Sequence, residues 1–142
     1  MINRIHLAIA LAGLSAVVAL AASATASKSA ADRVFEMRTY VAHPGRGPAM
    51  HKRFRDHTCT LFKKHGMELV GFWTPQEENE GKADTLVYIL AFPSKNAAKA
   101  SWSAFQADPD WIKVRNASEE DGKIVAKVTS VYLDPTDYSS IK

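Results

Sequence analysis

The chain has a single cysteine, Cys59, so no disulfide can form within it and stability must come from packing or association. No two of its histidines stand four residues apart, the spacing that puts two imidazoles on one metal. Paired cysteines, a nucleophile elbow and a glycine-rich phosphate loop are also missing, and Gly45-Arg46-Gly47 reads as a turn. Neither sign of charge dominates: 18 lysines and arginines meet 15 aspartates and glutamates. A nucleic-acid footprint would be strongly basic and clustered, so no nucleic-acid partner is expected. Asn116-Ala117-Ser118 is a formal glycosylation sequon but reads as polar surface.

The one long apolar run, Leu7 to Ala22, lies near the start, behind Arg4, and no acidic residue precedes Asp32. A basic start, an apolar stretch and then Ala22-Ser23-Ala24 and Ala24-Thr25-Ala26 form the pattern of a cleavable secretory leader, residues 1–26, cut after Ala26. A spanning helix needs roughly 20 apolar residues, more than this alanine-rich run supplies. Cys59 is too far from the junction for a lipid anchor. The expected product is secreted or periplasmic, with no membrane association after cleavage. It loses one arginine and no carboxylate, keeping 17 basic residues against 15 acidic ones.

What remains suits one domain, residues 33–142, with a modest core. Val34 to Val41 alternates Glu36, Arg38 and Tyr40 with Phe35, Met37 and Val41, which predicts a strand with two unlike faces. A helix is expected from Pro48 to His65, with Met50, Phe54, Leu61 and Phe62 on its apolar stripe, Lys52, Arg53 and Arg55 elsewhere, and Gly66 as its left-handed cap. Met67 to Thr74 and Thr85 to Phe92 predict a hairpin across the acidic loop 75–84. Ser94 caps a second helix carrying Ala97, Ala98, Ser101, Trp102 and Phe105 on one face. Asp108-Pro109 opens a short third helix, and a last strand runs from Ile124 to Leu133. This order, β-α-β-β-α-β, predicts an α+β fold of the ferredoxin-like type, with helices on one face of an antiparallel sheet. The other face needs a cover, and a second copy of the same sheet would supply it.

Phe35-Glu36-Met37-Arg38-Thr39-Tyr40, Pro44-Gly45, Gly71-Phe72-Trp73 and the run from Asp108 to Arg115 resemble the NIPSNAP family over the whole domain. That resemblance implies the dimeric α/β-barrel superfamily, which also holds haem-degrading and antibiotic-biosynthesis monooxygenases, so fold alone leaves activity open. NIPSNAP proteins have no agreed reaction. The best-known eukaryotic members are mitochondrial, but this leader is too poor in arginine for a transit peptide, so organelle roles are not carried over.

Glu36, Arg38 and Tyr40 form the first candidate site, able to orient an anionic or carbonyl ligand. Matched charges pair with each other more often than with a ligand, so a buried ion-pair ladder fixing strand register or the dimer is the competing reading. His57, placed near Met50 and Leu61, is a candidate base or axial ligand with a packing explanation beside it. His65 is accounted for by its place at a helix C-terminus. Trp73, Tyr88, Trp102 and Trp111 either line an apolar cavity or belong to the core. Two functions follow: a homodimeric module binding a small apolar or anionic ligand, expected to need no metal or cofactor, or an oxygenase-like enzyme, cofactor-free or haem-using, on the same barrel.

Overall fold

The computed structural model describes residues 33–142. The expected leader lies outside the described residues. The elements follow the predicted order: β1 (Val34–Ala42), a helical run made of α1 (Gly47–Arg53), a π turn (Phe54–Thr58) and α2 (Cys59–Lys64), then β2 (Glu68–Trp73), β3 (Thr85–Phe92), α3 (Lys95–Ala107), α4 (Pro109–Ser118) and β4 (Val125–Leu133). The strands form one sheet in the order β2-β3-β1-β4, with every neighbouring pair antiparallel. The α+β ferredoxin-like arrangement is therefore correct. Among the described residues no helix is long and apolar enough to cross a membrane.

Local chemistry explains the boundaries. Pro48 sits in the first turn of α1, where its missing N–H costs nothing. Gly66 ends α2 at φ +73°. The Ser94 hydroxyl accepts a hydrogen bond from the Ala97 N–H at 3.2 Å, and Asp108 accepts one from the Asp110 N–H at 2.9 Å, capping α3 and α4. Gly47 is more than part of a turn: a Cβ there would come within 1.8 Å of the Ala83 carbonyl oxygen. Its N–H also donates to Asp84 at 3.1 Å, locking the start of α1 against the end of the β2–β3 loop.

Directly paired residues of neighbouring strands point to one face. Glu36 pairs with Leu90, Arg38 with Tyr88 and Tyr40 with Leu86, and all six side chains lie on the helix side. The core between the two layers holds Met50, Phe54, Phe62, Tyr88, Leu90, Phe92, Ala98 and Phe105. On the opposite face the chain beyond β4 folds back over one end, where Phe35, Val70, Ile89, Leu133 and Ile141 enclose about 280 Å³. Trp73 and Val131 remain exposed there, at 51% and 44%.

The π turn changes what the first helix presents. Its wider winding, with the Cys59 N–H donating to the Phe54 carbonyl, adds a residue to the turn. Thr58 consequently takes the inward position and its hydroxyl donates to the Arg53 carbonyl at 3.2 Å. His57, expected beside the apolar stripe, is turned out and exposed. Arg53, expected on the outer surface, is only 4% exposed.

Candidate functional site

Strand alternation puts Glu36, Arg38 and Tyr40 two residues apart on the helix side of β1, and the layer above them decides their partners. The Glu36 carboxylate is buried and accepts from Arg38 Nη1 at 2.8 Å, from the Trp102 indole N–H of α3 at 2.5 Å and from the Ser130 hydroxyl of β4 at 2.5 Å. Three donors satisfy the charge, so this half of the expected ladder is a fully bonded anchor. Arg38 stacks its guanidinium over the Trp102 ring, 4.1 Å from the centroid, with Tyr40 at 5.7 Å.

Tyr88, opposite Arg38 on β3, is fully buried and stacks on Phe72 at 5.3 Å, tilted 16°. Tyr40 lies beside it, also with ring centroids 5.3 Å apart, without completing a hydrogen bond to its hydroxyl. The Tyr88 hydroxyl and Arg38 Nε are both buried and lack a partner among the described residues. Burial pushes the Tyr88 pKa well up, and the nearby Tyr40 adds to it, so the group is a neutral hydrogen-bonding phenol. Burial alone would lower the pKa of Arg38, but Tyr40, Tyr88 and Glu36 together hold it above its ordinary value. The cation is therefore permanent. Chemically, the donors that this face leaves over are one guanidinium N–H and one phenol O–H, both suited to a carboxylate or carbonyl oxygen.

The other predicted residues are elsewhere. Trp73 points to the free sheet face and folds over Gly71, where a Cβ would meet its ring at 2.4 Å. Trp111 packs on Phe105 at 4.6 Å, and the Arg53 guanidinium lies 5.3 Å from its ring centroid. His57 lines a separate cleft between α1 and α4. No cluster of three or more His, Cys, Asp or Glu suited to a metal occurs among the described residues.

Sequence reasoning missed Trp102 and Ser130 as partners of Glu36. Trp102 stood out as an aromatic of an apolar helix face and a possible cavity wall, not as a donor, and nothing marks Ser130 until strand register sets it opposite Arg38. His65 was also given too small a part: its Nε2 lies 2.6 Å from Asp108 Oδ2, joining α2 to α4.

A family model described as NIPSNAP matches residues 35–140. No curated protein matches the chain. Among solved structures, a NIPSNAP family protein of unknown function from Agrobacterium tumefaciens is 25% identical, with TM-score 0.67, covering 79% of this chain and 96% of that one. A NIPSNAP-like domain protein from Burkholderia xenovorans is 14% identical, with TM-score 0.66 and coverage of 77% and 90%. SnoaB from Streptomyces nogalater, a cofactor-independent oxygenase, is 15% identical, with TM-score 0.52 and coverage of 78% and 99%. Likeness at 14–15% identity extends to the fold alone.

Proposed function

As the chain belongs to the NIPSNAP family, we propose that it is an exported, homodimeric module that binds a small molecule bearing a carboxylate or carbonyl group. The ligand sits on the helix side of the sheet, with its polar end at Arg38 and Tyr88. One observation carries this reading: two donors on paired residues, Arg38 Nε and the Tyr88 hydroxyl, are buried without a partner among the described residues. A buried donor left unsatisfied costs about 1–3 kcal/mol, which a native site offsets when an acceptor arrives. Glu36 holds the arginine but leaves Nε free, so it acts as a positioning residue.

Export and dimerisation belong to the same proposal. Cleavage after Ala26 would leave a chain beginning at Ser27. The face bearing Trp73 and Val131 is covered by a second copy, because a monomer would keep those apolar side chains in water.

The test uses protein purified from its own cells and extracted for small molecules. Wild type is expected to yield a bound compound that Arg38→Ala and Tyr88→Phe lose, and N-terminal sequencing should begin at Ser27. The same compound on both variants would overturn the site. Oxygen uptake that depends on the extracted compound would replace binding with an oxygenase-like reaction.

A further inference from the structure

The cleft between α1 and α4 belongs to the helix layer and touches neither Arg38 nor the free face of the sheet. It measures about 590 Å³, within the range of roughly 300–1,000 Å³ typical of small-ligand sites. Two guanidiniums converge in its wall on one residue. Arg46 Nη2 donates to the Ser118 carbonyl at 3.2 Å and to the Gly122 carbonyl at 3.0 Å, while Arg53 Nη1 donates to the Ser118 hydroxyl at 3.3 Å. Each keeps a buried Nε without a partner among the described residues.

Their charges are unequally answered. Arg53 is paired with Glu119 at 3.0 Å, whereas Arg46 meets carbonyl dipoles and no carboxylate within salt-bridge distance among the described residues. Lys52, also in the lining, is held by Asp56, and Asp110 by Lys64. With those pairs set aside, Arg46 and Lys113 face a single unengaged carboxylate, Asp121, so the cleft has room for one more negative charge. Between the charged groups the wall is Ala49, Val114 and Ala117. An inorganic anion would meet the arginines but leave that apolar wall wet.

We infer that the α1–α4 cleft is a second binding site, distinct from the Arg38 face, for a monocarboxylate with an apolar body. The carboxylate engages Arg46 and Lys113, and the body lies on Val114 and Ala117.

Isothermal titration of the whole domain with decanoate, and separately with inorganic phosphate, tests this. One decanoate per chain is expected, with no comparable heat from phosphate. Lys113→Glu should weaken decanoate at least tenfold, Ala117→Phe should abolish its binding by filling the cleft, and Tyr88→Phe should leave it unchanged. Lys113 and Ala117 are both exposed, so the variants fold, and matching melts will verify this. Absence of decanoate binding, phosphate binding in its place, or decanoate binding that survives both Lys113→Glu and Ala117→Phe overturns the proposal. Loss of binding in Tyr88→Phe would move the ligand to the sheet.

Discussion

At the residue scale, the charges of β1 are coupled unevenly. Removing Arg38 takes from a buried carboxylate its only cation among the described residues, a loss that costs about 3–5 kcal/mol where nothing else compensates. Here Trp102 and Ser130 still donate to Glu36, so Arg38→Ala is expected at or below the lower end of that range. Adding Glu36→Gln should then recover stability, because an amide in the same shape needs no counter-charge; a coupling of about 1–3 kcal/mol is expected from urea unfolding of the double-mutant cycle. Strictly additive effects would mean that the pair is not coupled. Tyr88→Phe removes a hydroxyl without a partner and should leave the empty protein as stable as wild type or more so. A large loss of stability in that variant would show that the hydroxyl has a structural partner. Alternation made Glu36, Arg38 and Tyr40 legible as one face, but their partners Trp102 and Ser130 lie 66 and 94 residues away from Glu36. Burial raises the pKa of Cys59, which suits a packed thiol.

At the scale of elements, Asp108 joins three of them. It caps α4 through the Asp110 N–H and receives Lys64 and His65 from the end of the first helical run at 2.9 and 2.6 Å. The Lys64 hydrogen bond first, then those of His65 and the Asp110 N–H, hold its pKa far below the usual carboxylate range. A depressed folded-state pKa means that the unfolded chain takes the proton more readily. The stabilisation is therefore whole above the ordinary aspartate pKa, about 3.9, and is lost as pH falls below it toward the folded value. Asp108→Asn keeps a capping oxygen but not the charge. Its melting temperature should lie below that of wild type near neutral pH, and the gap should narrow below about pH 4. A gap constant across that range would remove Asp108 from the acid response. The caps at Ser94 and Asp108 were readable because a cap and its donor lie two or three residues apart. The π turn was not readable, because a threonine in an amphipathic run carries no mark of facing inward, and that one extra residue moved His57 outward and Thr58 inward.

At the scale of the molecule, the sheet has one face under helices and one face only partly covered by the chain's own end. Val131, exposed at 44% in the strand next to β1, lies in the uncovered area. If two copies meet there, Val131→Arg buries an unpaired charge in each half of the interface and should give a monomer by light scattering at micromolar concentration, where wild type gives a dimer. A wild-type monomer would remove the proposed partner. The element order, the caps and the two-faced character of β1 were determined by the sequence by itself, because each rests on contacts within about four residues, through side-chain periodicity and backbone hydrogen bonds. Only the tertiary structure decided the rest. Glu36 chose its donors from α3 and β4, and Arg46 and Arg53 met at Ser118, 72 and 65 residues further on. Strand register and the seating of one helix on another set such meetings, and neither is written in the local pattern of any single element.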